Sequence, residues 1–159
     1  MRAFHREPDD TVVASIDRDE ALLLQNLASQ VTALLVEGDG LDPAIVRLLP
    51  DAYPDDSAAS AEFRRFTAGG LVERKLANAD VVIMTLSESI ETGEVRLDPE
   101  QAGAWLRSLT DIRLTLASRL GIESETQAPS EDAILQNLYD WLGFLQNSLV
   151  EAVDAEAHG

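Results

Sequence analysis

The chain has 159 residues, 45% of them hydrophobic, which is typical of a folded domain with a sizeable core. Its 29 acidic residues outnumber 12 basic ones, and the formal charge of -17 disfavours binding to nucleic-acid phosphates or anionic lipid. The absence of cysteine excludes disulfide scaffolds, thiolate zinc sites and thiol nucleophiles. The start of the chain lacks the apolar stretch of a signal peptide, so we expect a cytoplasmic protein that binds neither nucleic acid nor membrane.

The first segment, residues 1–16, predicts a small β-hairpin. Residues 2–6 and 11–16 are candidate strands, the second rich in β-branched side chains, and EPDD at 7–10 has turn chemistry. A lone hairpin is marginally stable and gains from a third strand, for which 95–97 is the candidate.

The next two segments have apolar residues at helical spacing. The first helix is predicted to begin at Asp17, with Glu20 completing a capping box, and to end near Gly38. Asp42 and Pro43 have the chemistry of an N-cap followed by the first helical position, so they predict the start of a short helix.

The middle of the chain predicts two helices that meet at Gly69–Gly70. The first is capped by Asp56 or Ser57, and the second runs over about residues 71–89. The glycine pair, with Thr67 as a new N-cap, is expected to break the chain direction between them.

Two further helices complete the pattern. Asp98, Pro99 and Gln101 predict a strong start for a helix that ends at Gly121, and the last helix covers about 131–155. Between them, 122–130 is predicted to be a mobile link.

These elements predict a mainly α fold: a helical bundle of four long helices plus short helices, with the small N-terminal hairpin. We expect one domain over 1–155 and a frayed tail at 156–159.

Motifs for catalysis are missing from the chain. It has no phosphate-binding loop, HExxH zinc motif or GxSxG nucleophile turn, and its two histidines lie in the hairpin and the tail. The sequence therefore predicts no catalytic, metal or cofactor-binding residue, and no cofactor.

Two cations lie on helix faces that should be buried. Lys75 falls among the apolar residues of its helix, and Arg113 falls inside the apolar arc of the stretch WLRSLTDIRLTLASRLGI. Because an isolated buried cation is very costly, both need partners, and the candidates are Glu62, Asp55 and Asp56.

Three more residues belong to this hypothesis. Asp111 lies about 160° from Arg113 around the helix, so it is expected to meet Arg107 on the outer face instead. Trp141 is expected to place a ring near the polar cluster. The cluster is interpreted either as a structural network or as a pocket for an anion, a carboxylate ligand or a partner's acidic residue.

Several strings resemble an uncharacterised actinobacterial family, a domain of unknown function. They are DAYPDD, AEFRRFT, the single lysine, AWLRSLTDIRLTLASRLGI and YDWLGFLQNSLV, and the resemblance extends from the hairpin to Val153. The family has no established activity. Its genes often lie near the gene for the Clp protease adaptor, so the resemblance implies a regulatory or adaptor role linked to proteolysis.

We therefore expect a non-enzymatic regulatory or adaptor-type interaction protein with unknown protein partners. Leu114, Phe144 and Val150 lie off the main apolar stripes, which suggests a homodimer interface. Two alternatives stay open: a small-molecule or anion-binding protein or enzyme that uses Glu62, Lys75 and Arg113, and an acidic mimic of nucleic acid.

Overall fold

The computed structural model describes residues 1–37, 44, 48, 57–120 and 133–154, with the backbone alone for 57–69 and 120. Within these ranges the fold is mainly α, with a small sheet. The long helices are α1 Arg18–Glu37, α2 Ser57–Thr92, α3 Pro99–Leu120 and α4 Ala133–Asp154. The strands are β1 His5–Arg6, β2 Val12–Ser15 and β3 Glu94–Leu97.

The sheet confirms the predicted hairpin and its third strand. It is antiparallel with β2 in the centre, and Val12 pairs with Leu97 while Ser15 pairs with Glu94. Gly93, at a φ of 78°, makes the turn from α2 into β3, a left-handed conformation that glycine adopts without steric cost.

The sheet packs on the helices through Phe4 and Trp105. Their rings meet edge to face with centroids 6.0 Å apart, and the Phe4 backbone N–H donates to the Ser148 hydroxyl of α4 at 3.1 Å. The core between the helices is built largely from leucines on all four of them. Burial of these apolar faces, more than helix propensity, stabilises the bundle.

The predicted start of α3 is confirmed. The Asp98 carboxylate accepts from the Gln101 N–H at 2.7 Å, and the Gln101 side chain accepts from the Asp98 N–H at 2.9 Å. This reciprocal pair satisfies two backbone donors that the first helical turn would otherwise leave free.

The predicted break at Gly69–Gly70 is wrong, because α2 is continuous from Ser57 to Thr92. Glycine costs about 1 kcal/mol relative to alanine inside a helix, which weakens it without forbidding it. Of the predicted short helix after Pro43, Ala44 and Leu48 are described, and both are helical and buried. The link at 122–130 and the tail at 156–159 lie outside the described residues.

Candidate functional site

Lys75 of α2 forms a buried ion pair with Asp111 of α3. The Lys75 Nζ lies 2.6 Å from the Asp111 Oδ1, and the side chains are 16% and 4% exposed. Burial raises the pKa of the Asp111 carboxyl above its usual range, while the hydrogen bond and the charge of Lys75 act in the opposite direction. The cation expected on a buried face is therefore present there, with a partner from the neighbouring helix.

Asp111 was expected on the outer face of α3 with Arg107, and that expectation is wrong. Ala104, Ser108 and Asp111, at helical spacing along α3, are all buried, so the face that meets α2 is wider than the apolar stripe. These side chains are small or short, which lets α2 come close enough for Lys75 to reach the carboxylate. The row A-x-x-x-S-x-x-D was the available signal in the sequence.

A second polar pair lies on the same helix–helix interface, nearer the sheet. The Trp105 Nε1 donates to the Thr85 hydroxyl at 2.8 Å, and Thr85 in turn bonds the α2 backbone at Val81. The Trp105 side chain is fully buried. Its indole N–H is thus satisfied, as burial requires.

Arg113 lies against α4 and not beside Lys75. Its guanidinium carbon is 4.4 Å from the centroid of the Tyr139 ring, and its Nη1 donates to the Gln146 side chain at 3.0 Å. A Cβ at Gly143 would come within 3.1 Å of the Arg113 Nη2, so the glycine makes room for the guanidinium. The Arg113 Nε is buried and has no hydrogen-bond partner among the residues that the structure describes.

The two inward cations therefore occupy different places. In the described ranges they share neither a partner nor a cavity: Lys75 lines a groove between α2 and α3, whereas Arg113 borders an open cavity of about 610 Å³ on α4. Trp141 lines a third cavity, with Leu23 and Ile134. Asp55, Asp56 and the side chain of Glu62 lie outside what the structure describes, so their predicted pairing stays a prediction.

We expect Arg113→Met to change the free energy of unfolding by less than about 1 kcal/mol. The substitution removes one hydrogen bond and the contact with Tyr139, but it also removes a buried N–H that has no partner in the described part of the chain. Urea unfolding followed by circular dichroism measures the change. A loss above about 2 kcal/mol would contradict this account, because it would mean that the guanidinium is strongly paired.

The groove between α2 and α3 brings Lys75 and Arg107 together with a cation that the sequence interpretation did not include, Arg74. It has a volume of about 670 Å³, and its polar lining consists of Arg74, Lys75, Asn78, Arg107, Thr110 and Asp111. Arg74 and Arg107 are exposed at its rim. No pattern within either helix alone marks this groove, since it depends on how the two helices pack.

Two further findings concern the described residues alone. No group of three or more His, Asp or Glu side chains is placed to hold a metal ion. None of the helices there is both long enough and apolar enough to span a membrane.

The chain is similar to mycobacterial proteins named as regulators. The oxidative stress regulator AosR of Mycobacterium tuberculosis strain H37Rv is 27% identical over 175 residues, covering 86% of this chain and 79% of that protein. The Mycobacterium bovis protein of the same name matches equally well. A Mycobacterium leprae relative, whose name likewise refers to an oxidative stress regulator AosR, is 31% identical over 131 residues, covering 72% of this chain.

The chain spans 59% of the length of the Mycobacterium leprae relative. No solved structure matches it. A family model, however, matches residues 1–153, which is nearly the whole chain. The protein therefore belongs to the family described as Domain of unknown function (DUF2017).

Proposed function

We propose that this protein is a regulator in the response to oxidative stress, and that it acts by binding other proteins and not by catalysis. The observation that carries the proposal is the similarity, over 86% of the chain, to proteins named oxidative stress regulator. The missing catalytic motifs in the sequence support it.

The chemistry of the chain narrows how such a regulator would work. Oxidants are commonly registered by low-pKa cysteine thiolates, and these 159 residues contain no cysteine. Under this proposal the chain therefore does not register oxidant through a thiol of its own. It would respond to the state or the abundance of a partner, as a cytoplasmic regulator or adaptor.

A face of α4 is suited to contact with a second copy of the chain. Phe144 and Val150 are exposed there, and the cavity beside them is lined by Arg113, Gln146 and Asn147 with no carboxylate in the described part. Aromatic residues and arginine are enriched in interface cores. Asp140 and Glu151 are exposed on the same side of α4 as Phe144, so in a dimer they would lie at the rim of the contact, near the Arg113 of the other copy. Leu114, expected at this interface, packs against the core instead.

Deletion of the gene in its native organism is expected to lower survival under peroxide and to change the transcripts that peroxide induces. Complementation with the unaltered gene should restore both survival and the transcript profile. If the α4 face forms a contact between two copies that the function needs, a gene encoding Phe144→Glu should restore neither. Light scattering of the purified unaltered protein and of the purified Phe144→Glu variant would show whether the substitution abolishes a dimer. Unchanged survival and an unchanged transcript profile in the deletion strain would contradict the proposed function.

The adaptor form of the proposal involves proteolysis. If the protein is an adaptor, the half-life of a Clp protease substrate should change in the deletion strain. The decay of that substrate after translation is inhibited measures its half-life. Unaltered half-lives, together with an altered transcript profile, would favour a regulator that is not an adaptor.

A further inference from the structure

The groove between α2 and α3 is a local concentration of positive charge on an acidic protein. Among the described residues, three cations, Arg74, Lys75 and Arg107, line it beside one carboxylate, that of Asp111. Across the whole chain, by contrast, acidic residues outnumber basic ones by more than two to one. The described lining of the groove therefore has a charge opposite in sign to that of the protein as a whole.

The buried ion pair explains why Arg107 has no carboxylate partner. Helix spacing offers Arg107 one carboxylate, that of Asp111 four residues further on, and Asp111 is turned inward to Lys75. Four residues earlier lies Gly103, beside which the Arg107 guanidinium rests. In the described ranges Arg107 makes no ion pair or hydrogen bond.

Arg74 is in the same situation on the opposite wall. Its neighbours one turn away are Gly70 and Asn78, neither of which carries a charge. Within the described part of the chain its guanidinium has no ion pair or hydrogen bond, although 29 acidic residues are present in the sequence. Two exposed arginines thus border one cleft with their donors unused.

The groove offers further donors between the two arginines. The Lys75 ammonium has three protons and gives one to Asp111, and the Asn78 side-chain amide makes no hydrogen bond in the described ranges. The Thr110 hydroxyl already donates to the Leu106 carbonyl, so it has no donor left. Guanidinium groups bind carboxylate and phosphate through paired hydrogen bonds, which are stronger than hydrogen bonds between two uncharged groups.

We propose that this groove binds a small molecule through an oxyanion, either a phosphate or a carboxylate. Arg74 and Arg107 hold the oxyanion from the two walls, and Asn78 donates from the α2 side. The Lys75–Asp111 pair forms the floor of the groove, where the Asp111 carboxylate holds the Lys75 ammonium in place. The volume of about 670 Å³ lies in the range of small-molecule sites. This proposal does not depend on the regulatory one.

The test is titration calorimetry of the full chain with inorganic phosphate, pyrophosphate and citrate, at about 0.15 M salt, where exposed charges are screened beyond about 8 Å. The variant is Arg74→Gln with Arg107→Gln. The control is the double variant Arg18→Gln with Arg96→Gln. It makes the net charge more negative by the same amount as the groove variant does, but it removes exposed arginines of α1 and β3 instead. Both variants alter exposed side chains, so both are expected to fold.

We expect at least one of the three anions to bind the unaltered protein. The groove variant should bind it about tenfold or more weakly, because two charge-assisted contacts are lost, while the control stays within about twofold. Preference for pyrophosphate or for citrate then distinguishes phosphate from carboxylate ligands. The proposal is overturned if none of the three binds, if the groove variant binds unchanged, or if the control loses as much affinity as the groove variant.

Discussion

Lys75→Met is expected to lower the free energy of unfolding by about 3 kcal/mol at pH 7, because removing one member of a buried ion pair leaves the other charge uncompensated. The Asp111 side chain is only 4% exposed, so water compensates its charge poorly once the ammonium is removed. Urea unfolding of the two proteins measures the difference.

The matched control is the double variant Lys75→Met with Asp111→Leu, which removes both charges. Replacing a buried ion pair by apolar side chains is often neutral, so the double variant should recover to within about 1 kcal/mol of the unaltered protein. A double variant no more stable than Lys75→Met alone would show that the loss comes from packing and not from the stranded carboxylate.

The loss in Lys75→Met should also depend on pH. Burial already raises the pKa of Asp111, and without Lys75 both causes that lower this pKa disappear. The folded variant then binds a proton more tightly than the unfolded chain does, so its stability relative to the unaltered protein rises as pH falls from neutral towards the ordinary carboxyl value of 3.8. Urea unfolding at a series of pH values measures this, and a difference independent of pH would contradict it.

Trp105→Ala is expected to lower the free energy of unfolding by about 4 kcal/mol, since it empties a large, fully buried site. It also removes the ring against which Phe4 packs and the donor that bonds Thr85. Because a domain of this size is stable by only about 5–15 kcal/mol, we expect a large fall in melting temperature, measured by circular dichroism.

Two controls separate the parts of the Trp105 effect. Trp105→Phe keeps most of the packing and should lose roughly 1–2 kcal/mol, mainly for the hydrogen bond. Trp141→Ala removes the other tryptophan, which is half-buried at the edge of the bundle, and should cost less than Trp105→Ala. Equal losses for the two alanine variants would contradict a central role for Trp105.

Most of the helices and the sheet could be predicted because their signals are local. The capping box at Asp98 and Gln101 and the apolar spacing of α3 and α4 each lie within one segment. The sheet followed from β-branched residues and from turn chemistry. The prediction of a break at Gly69–Gly70 was wrong because glycine adds only a small free-energy cost to a helix. The packing of the rest of α2 outweighs that cost.

The candidate site was harder to predict because its pairs join different helices. A helical wheel correctly showed that Lys75 faces inward, but it cannot show which helix lies opposite. Asp111 appeared to belong to the outer face because the buried face was drawn from large apolar residues alone. Ser108 is buried beside Asp111 and extends the buried face of α3. Short polar residues such as serine are mostly exposed in proteins, so a helical wheel gives little indication that they belong to a buried face.

The two polar pairs between α2 and α3 also fix how these helices align along their length. Lys75 meets Asp111 at one end of the interface, and Thr85 meets Trp105 at the other. A slide of α3 by one turn would separate both pairs and leave a buried charge and a buried indole N–H unpaired, a cost that purely apolar contacts would not add. We infer that these pairs select a single register, and with it the placement of Arg74 and Arg107 on opposite walls of one groove.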